Sequence, residues 1–262
     1  MKIIRYREDN TINFGILESK DIYSLEGEIF ADFKKGEKVN NLENIELLAP
    51  IEPPNIIAIG LNYSQHAEES GSEIPEKPVI FLKATSSLTG PESDIILPKL
   101  APDEVDYEAE LAVVIGKDCK NIEAVAVPNY ILGYTCANDV SARDCQRRLD
   151  KQWARAKSFD TFCPLGPWIE TDLEPNNLEI SSILNGEVMQ NSNTSDMIFD
   201  VNQLVSYLSH NMTLKAGTVI ITGTPEGVGF ARKEPVFLNE GDQIEIKIEG
   251  IGSLINTVAE EK

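Results

Sequence analysis

Residues 105–117 read VDYEAELAVVIGK, and the spacing of their apolar side chains is the main indication of the fold class. Apolar side chains occupy every second position, namely Val105, Tyr107, Ala109, Leu111 and Val113. A period of two predicts a β-strand, in which successive side chains point to opposite faces of a sheet. The three acidic residues between them, Asp106, Glu108 and Glu110, are therefore expected to share one face of this strand.

The segments on either side also favour β-structure. Strands are predicted in IIAIG (56–60), PVIFLKA (78–84), YILGYTCAN (130–138), TVIITG (218–223), QIEIKIEG (243–250) and SLINTVA (253–259). A few helices are expected: a short one over Ser64–Ser70, one from an N-cap at Ser141 towards Arg155, and one over 201–212. The pattern predicts a mainly β protein of the α+β class.

The chain is expected to divide into two unequal parts. Residues 1–50 contain short strand-like runs in KIIRY, TINFGIL, IYSL and EIFADF, which predict a small N-terminal β domain. The stretch APIEPPN at 49–55 holds three prolines, which remove backbone donors and restrict their neighbours. This stretch marks the predicted boundary, and residues 51–262 are expected to form a second, larger domain.

Composition limits the classes of function. Lys and Arg total 23 against 43 Asp and Glu, so the formal net charge is −20 and the chain would repel nucleic acid phosphates and anionic lipids. No apolar run reaches the roughly 20 residues that cross a bilayer, and MKIIRYREDN lacks the apolar core of a secretory signal. We therefore expect a cytoplasmic protein without nucleic acid or membrane partners, whose four irregularly spaced cysteines are reduced.

Glu108 and Glu110 are candidate ligands of a metal ion. Their side chains would lie roughly 7 Å apart along one strand face, close enough to lean onto one ion. Asp139 lies in the polar junction ANDVSARD, where a predicted strand ends. Three carboxylates suit Mg²⁺ or Mn²⁺, and a nearby Lys157 could neutralise the remaining charge. The alternative is that the acids simply form a solvated sheet face.

His66 and Glu69 are the candidate acid–base pair. At a spacing of three residues they face the same way on a helix, so the carboxylate could orient the imidazole. The polar residues Asn62 and Tyr63 precede them, directly after a predicted strand, and are expected to contact substrate. The alternative is that the histidine and the glutamate are an ordinary surface pair.

The glycine-rich stretch TGTPEGVGF (222–230) could bind an anion. Backbone N–H groups of such a turn, together with the hydroxyl of Thr224, could hold a carboxylate. A tight turn without a ligand is the alternative. Nucleotide binding is not expected, because the stretch has no P-loop lysine.

Seven motifs, in this order along the chain, resemble those of the fumarylacetoacetate hydrolase family. They are IGLNYSQHAEES (59–70), PVIFLKATSSLTGP (78–91), DYEAELAVVIGK (106–117), GYTCANDVSARD (133–144), QWARAKSFDTFCPLGP (152–167), LNGEVMQ (184–190) and TGTPEGVGF (222–230). The resemblance covers about residues 55–262. It implies a mixed β-sandwich or β-roll catalytic domain over 51–262 behind the small N-terminal β appendage, assembled as a homodimer.

The resemblance also implies roles for single residues. Glu108, Glu110 and Asp139 would bind Mg²⁺ or Mn²⁺, and Lys157 would contact the metal-bound substrate or a metal-bound water. The remaining implied site residues are Arg143 and Gln146 lining the site, His66 and Glu69 activating water, and Thr224 binding a substrate carboxylate. Leu61 departs from the pattern, because the acylpyruvate-cleaving branch of the family looks to carry Arg at this position.

The leading hypothesis is metal-dependent hydrolysis of a carbon–carbon bond in a small 2,4-dioxo acid, of the acylpyruvate, fumarylpyruvate or sugar-derived diketo acid type. His66, supported by Glu69, would deprotonate a water that attacks the C4 carbonyl, and the cation would stabilise the departing enolate. Decarboxylation of oxaloacetate and isomerisation of a 2-hydroxyhepta-2,4-diene-1,7-dioate (hydroxymuconate-type) substrate are alternatives through the same enolate. A non-catalytic metal-binding protein on the same fold is a third class.

Overall fold

Strands dominate the computed structural model, which describes residues 1–149 and 152–262. In chain order they are β1 (Lys2–Glu8), β2 (Thr11–Glu18), β3 (Asp21–Gly27), β4 (Phe33–Asn41), β5 (Glu46–Leu47), β6 (Ile56–Gly60), β7 (Val79–Lys83), β8 (Leu88–Thr89), β9 (Asp94–Leu97), β10 (Val105–Asp106), β11 (Ala109–Ile115), β12 (Ile131–Asn138), β13 (Ser141–Ala142), β14 (Cys163–Glu170), β15 (Glu179–Leu184), β16 (Glu187–Asn193), β17 (Val219–Ile221), β18 (Gln243–Ile248) and β19 (Gly252–Glu260). The prediction of a mainly β protein is confirmed.

Helices are few and short. The α-helices are α1 (Ser64–Ser70), α2 (Trp153–Ala156) and α3 (Val201–Asn211), and Cys145–Leu149 form a π-helical turn. Short segments of 3₁₀-helix occur at Leu42–Asn44, Thr85–Ser87, Ala124–Tyr130, Thr194–Asp196 and Gly229–Ala231. None of the described helices has the length and apolar character needed to cross a membrane.

The strand β11 lies near the middle of the larger sheet, whose main order is β4-β3-β2-β1-β14-β12-β11-β17-β6-β7. All seven of its residues are buried, so the strand has no solvated face. The predicted single strand is in fact interrupted: Val105 and Asp106 form β10, and β11 begins at Ala109. The interruption frees Glu108 from the ladder, and its backbone N–H is bonded instead by the Asn138 side chain at 3.0 Å.

A second sheet, ordered β16-β15-β18-β19-β9, packs against the first. One apolar cluster joins β11, β15, β18, β19 and α3, and buries Leu111, Ile246, Leu254 and Leu204 among others. The helix α3 begins with a capping box between Asp200 and Gln203, which satisfies backbone donors that no helical bond reaches. Burial of apolar side chains between the two layers therefore fixes the position of β11 and the loops at its ends.

The N-terminal strands continue the larger sheet across the predicted boundary at residue 50. Strand β1 pairs with β14, with Lys2 opposite Glu170. The strand predicted over EIFADF is wrong, because β3 ends at Gly27 and β4 starts at Phe33. Gly27 has φ of 114°, and a Cβ there would lie 2.2 Å from the Asp32 carbonyl oxygen, so the chain turns at this point.

The helix predicted from Ser141 towards Arg155 is also wrong. Ser141 and Ala142 pair with β10, and the Ser141 hydroxyl donates to the Asp139 carbonyl at 2.8 Å rather than capping a helix. The chain then makes the π-helical turn and, further on, α2. Asp150 and Lys151, which the predicted helix would include, lie outside the described residues.

The cysteines agree with the prediction. All four, Cys119, Cys136, Cys145 and Cys163, are buried, and none forms a disulfide with another described residue. Each therefore acts as a small apolar side chain in the core.

Candidate metal centre and active site

Three buried carboxylates meet at one end of β11. Glu108 lies immediately before this strand, Glu110 is its second residue, and Asp139 follows the end of β12. The two strands are antiparallel, with Ala109 opposite Asn138, so the start of one adjoins the end of the other. The Asp139 backbone N–H donates to the Glu108 carbonyl at 3.0 Å. One oxygen from each carboxylate lies within 4.8 Å of the others, as a shared cation requires.

Lysine and arginine side chains neutralise most of this charge. The Lys157 ammonium donates to Glu108 at 2.7 Å and to Asp139 at 2.5 Å. The Arg143 guanidinium lies 2.7 Å from Glu108 and donates through Nε to Asp106 at 2.8 Å. Oxygen-only donors of this kind suit a hard divalent cation, so the residues fit Mg²⁺ or Mn²⁺.

The two glutamates differ in their electrostatic environment. Burial acts to raise the pKa of Glu108, but the charges of Lys157 and Arg143 outweigh it and hold this pKa at about 2. Burial, followed by repulsion from Asp139 and Glu108, raises the pKa of Glu110 well above its ordinary value. Among the described residues Glu110 forms no ion pair. A cation beside Glu110 would remove this imbalance, which is a second reason why the cluster fits a metal ion.

Lys83 is a member of the buried charge cluster that the sequence reasoning missed. Its ammonium is buried at the end of β7, donates to the second oxygen of Asp139 at 2.5 Å and to the Phe162 carbonyl at 2.9 Å. Lys83 and Lys157 thus hold the Asp139 carboxylate from both sides. The available signal was a lysine at the end of the apolar run PVIFLKA, which is unusual for a buried strand unless a buried acid accompanies it.

Backbone N–H groups of the glycine-rich stretch 222–230 donate hydrogen bonds to buried carboxylates of the protein. The Gly223 N–H donates to Glu110 at 2.6 Å, and the N–H groups of Gly229 and Phe230 donate to Asp106 at 2.8 and 3.0 Å. These backbone donors are therefore already used by carboxylates of the protein, and binding of a substrate carboxylate by this stretch stays a prediction.

Thr224 lines the same cavity as the carboxylates. Its hydroxyl donates to the Ala109 carbonyl at 3.0 Å and accepts from the Gln190 amide at 2.8 Å. A hydroxyl has a second lone pair but only one hydrogen, which is committed here to the backbone. Substrate binding by Thr224 stays a prediction.

His66 and Glu69 form the predicted dyad. His66 lies on α1, 8% exposed, with Nδ1 at 3.2 Å from the Glu69 carboxylate, and it lines the cavity. The Gly227 N–H fixes Glu69 at 3.1 Å. Because a carboxylate only accepts hydrogen bonds, Nδ1 is the protonated nitrogen in this contact, which leaves Nε2 with a lone pair in the neutral ring.

Asn62 and Tyr63 are not among the residues that line this cavity, and their contact with substrate stays a prediction. Both are fully buried. The Asn62 amide donates to the carbonyls of Phe199 at 3.0 Å and Thr222 at 2.8 Å, and its oxygen accepts from the Phe199 N–H at 2.9 Å. These bonds join the end of β6 to two other segments, which places α1 and its histidine.

The cavity measures about 360 Å³, and the cluster forms part of its wall. The predicted site residues Arg143 and Gln146 both line this cavity. The Gln146 side-chain oxygen accepts a hydrogen bond from the Arg143 guanidinium at 2.9 Å. Leu61, Phe81 and Trp153 form an apolar side of the wall, with Trp153 edge-on to Phe81. The structure thus brings the three predicted metal ligands, Lys157 and His66 around one space, and Glu69 contacts His66 from outside the lining.

A profile described as Fumarylacetoacetate (FAA) hydrolase C-terminal matches residues 55–259. The chain belongs to the fumarylacetoacetate hydrolase family. A second profile, described as Rv2993c-like, N-terminal, matches residues 1–50. The family expected from the seven motifs is therefore confirmed.

Several relatives within the fumarylacetoacetate hydrolase family carry names for their activity. The chain is 48% identical over 218 residues to a protein of Rattus norvegicus named Oxaloacetate tautomerase Fahd2a, mitochondrial, covering 82% of this chain and 69% of that one. It is 43% identical, with a TM-score of 0.90 and complete coverage of both chains, to a structure of 5-carboxymethyl-2-hydroxymuconate delta-isomerase from Mycobacterium smegmatis. A structure of maleylpyruvate hydrolase from Sphingobium sp. SYK-6 in complex with manganese (II) ion and pyruvate is 28% identical, with a TM-score of 0.80 and complete coverage of both chains.

The names of these relatives give the kinds of reaction found in the fumarylacetoacetate hydrolase family. Its members are enzymes, including hydrolases, isomerases and oxaloacetate tautomerases, so the prediction of an enzyme on this fold is confirmed. The maleylpyruvate hydrolase structure contains manganese (II) ion, and the three carboxylates of this chain fit a divalent cation of this kind. The reaction and the substrate of this chain are matters of proposal.

Proposed function

We propose that this enzyme interconverts the enol and keto forms of a small 2-oxo acid of the oxaloacetate type. The observation that carries the proposal is the His66 imidazole, oriented by Glu69 and facing the cavity beside the carboxylate cluster. A single oriented base is sufficient to move one proton between carbon and oxygen. The name of the rat relative, which shares 48% identity, supports this choice of reaction.

Each residue of the site has a part in this reaction. A divalent cation held by Glu108, Glu110 and Asp139 would bind the carboxylate and keto oxygens of the substrate and stabilise negative charge on the enolate. Lys157, which donates to two of these ligands, keeps them in place and adds positive charge to the cavity wall.

His66 is placed to move the proton. In its neutral form it removes a proton from the carbon next to the keto group through Nε2, and the electron pair of the broken C–H bond forms the enolate. Returning the proton to oxygen gives the enol, and the reverse order gives the keto acid. Glu69 stabilises the imidazolium while it carries the proton, since its carboxylate accepts from Nδ1.

Hydrolysis of a 2,4-dioxo acid is the second candidate. The same His66–Glu69 dyad would deprotonate water instead of carbon, and the maleylpyruvate hydrolase shares the fold. Decarboxylation of oxaloacetate and isomerisation of a hydroxymuconate-type acid use the same enolate and remain alternatives. A non-catalytic role is disfavoured because the base, its orienting carboxylate and the candidate ligands are all present.

Enzyme assays with Mg²⁺ or Mn²⁺ and with EDTA test the proposal. Wild-type protein should speed the loss of enol absorbance of oxaloacetate without release of pyruvate, and EDTA should stop it. His66→Gln should lower kcat by about 10²–10⁴-fold, the usual contribution of a positioned acid or base. His210→Gln is the matched control, because His210 is exposed and its Nδ1 contacts only the Ser206 carbonyl among the described residues. Turnover confined to dioxo acids, with cleavage, would assign hydrolysis instead.

Four further properties are proposed for this enzyme. The oxygen-only ligands favour Mg²⁺ or Mn²⁺ as the cofactor. A homodimer is proposed on the family resemblance, and sedimentation velocity measures it. The charge of −20 supports a small-molecule substrate rather than nucleic acid or a membrane as the partner. The cytoplasm is the proposed compartment, although relatives such as the rat protein carry a mitochondrial name; fractionation of cells decides between them.

A further inference from the structure

The outer part of the cavity carries a cation that the proposed reaction does not use. Arg147 lies on the π-helical turn, is exposed and lines the cavity. Its guanidinium carbon is 4.4 Å from the centroid of the Phe230 ring. The Arg143 guanidinium carbon lies at the same distance from this ring. Phe230 therefore links the arginine that contacts Glu108 to a second arginine nearer the solvent.

The inner cations are all committed to protein groups. Arg143 contacts Asp106, Glu108 and Gln146, and Lys157 bonds Glu108 and Asp139. Within residues 1–149 and 152–262, by contrast, Arg147 forms no ion pair with another described residue. It is thus the cavity-lining cation with a guanidinium available to an anion.

The charge balance of the site indicates a role for Arg147. Four buried acids, Asp106, Glu108, Glu110 and Asp139, face three buried bases, Lys83, Arg143 and Lys157. With a divalent cation bound and all four acids ionised, these charges would sum to +1, and the carboxylate of a 2-oxo acid would bring the sum to zero. A second carboxylate on the substrate would find no unused inner charge, and a low-dielectric site disfavours an unpaired anion. It would need a further cation at the mouth.

We propose that Arg147 binds the distal carboxylate of the substrate, so that the enzyme selects 2-oxo dicarboxylic acids over 2-oxo monocarboxylic acids. This inference rests on the proposed function for the location of the 2-oxo acid. Stacking on Phe230 holds the planar guanidinium with its edge N–H groups free for a carboxylate. The neighbouring Arg148 points elsewhere, because it pairs with Glu104 at 2.9 Å.

Binding of two non-reacting analogues tests the inference independently of turnover. Malate and lactate share a 2-hydroxy acid group, and malate alone has a distal carboxylate. Calorimetric titrations in Mg²⁺ should show that wild-type protein binds malate more tightly than lactate. Arg147→Leu should weaken malate about tenfold, the effect of one partly solvated charge-assisted pair, and leave lactate within twofold. Arg147→Lys should retain part of the preference, and Arg148→Leu should retain all of it.

The outcomes separate this inference from the proposed reaction. Equal affinity of wild-type protein for malate and lactate, or equal weakening of both by Arg147→Leu, would overturn the role of Arg147. A preference for malate that Arg147→Leu removes supports it, even if no enol–keto activity is found. With active enzyme, Arg147→Leu should raise KM for oxaloacetate about tenfold and change kcat little, since the residue does not contact the reacting carbon.

Discussion

Replacing Lys83 by Met should destabilise the protein far more than replacing an exposed, ion-paired lysine such as Lys215. The Lys83–Asp139 pair is buried, with side-chain exposures of 0% and 1%. Removing one partner of a buried pair costs about 3–5 kcal/mol, because Asp139 would keep Lys157 alone as its counter-ion among the described residues, and Lys157 is shared with Glu108. The Phe162 carbonyl would also lose a donor at 2.9 Å. Since proteins are stable by about 5–15 kcal/mol, this is a large part of the free energy of unfolding.

Urea and thermal unfolding in EDTA measure this effect. A loss of about 3–5 kcal/mol corresponds to a fall of about 6–20 °C in Tm, at about 2–4 °C per kcal/mol for a chain of this size. Lys215→Met is the matched control, because Lys215 also pairs with an aspartate, Asp118, at 2.7 Å, but both side chains are more than half exposed. An exposed pair contributes at most about 1 kcal/mol, so this variant should be nearly as stable as wild type.

A double variant shows where the effect arises. Lys83→Met with Asp139→Asn removes both charges, and its loss of stability should be smaller than the sum of the two single losses by about 1 kcal/mol or more. Equal stability of Lys83→Met and Lys215→Met would refute the argument, as would strict additivity in the double variant. Either result would mean that Lys83 does not compensate the buried charge of Asp139.

Two more predictions follow from the site. The pKa of Glu110 is raised in the folded protein, so above pH 4.5 the unfolded chain releases a proton that the native state retains. The free energy of unfolding of metal-free wild type should therefore fall as the pH rises from 5 towards 8, and that of Glu110→Gln should fall less. The lowered pKa of Glu108 changes the free energy of unfolding only below pH 4.5, so it does not affect this comparison. Equal slopes in urea titrations would contradict this. Asn62→Ala should cost about 2–4 kcal/mol through three lost hydrogen bonds, and Tyr63→Phe less than about 1 kcal/mol, because the buried hydroxyl has no partner among the described residues. Similar losses in both variants, measured by urea unfolding, would contradict the roles assigned here.

Local patterns in the sequence were sufficient to predict much of the site. The alternation of apolar and acidic residues predicted that Glu108 and Glu110 share one face of the chain. In the structure, antiparallel pairing of β11 with β12 brings Asp139 next to them. The i, i+3 spacing likewise predicted the His66–Glu69 contact. These features depend on one element or on neighbouring strands, so the sequence period carries the information.

Contacts between distant segments were not predictable in this way. The Lys83–Asp139 pair joins residues 56 positions apart, and the period of β7 gives no sign of its partner. The polar character of Asn62 indicated a site residue, but an asparagine side chain can equally bond buried backbone, as this one does. The glycine-rich loop was assigned to an external anion because its internal acceptors, Glu110 and Asp106, are more than 100 positions away in sequence.

Calorimetric titration of the metal-free protein with Mn²⁺ measures whether the three buried carboxylates bind a divalent cation. If Glu108, Glu110 and Asp139 hold one divalent cation, wild type should bind one ion per chain, and Glu110→Gln should weaken binding by about 100-fold or more. Glu226→Gln is the matched control, since Glu226 lies outside the cluster, and it should bind as wild type does. Wild-type protein that takes up no Mn²⁺, or a Glu110→Gln variant that binds it equally well, would contradict the account.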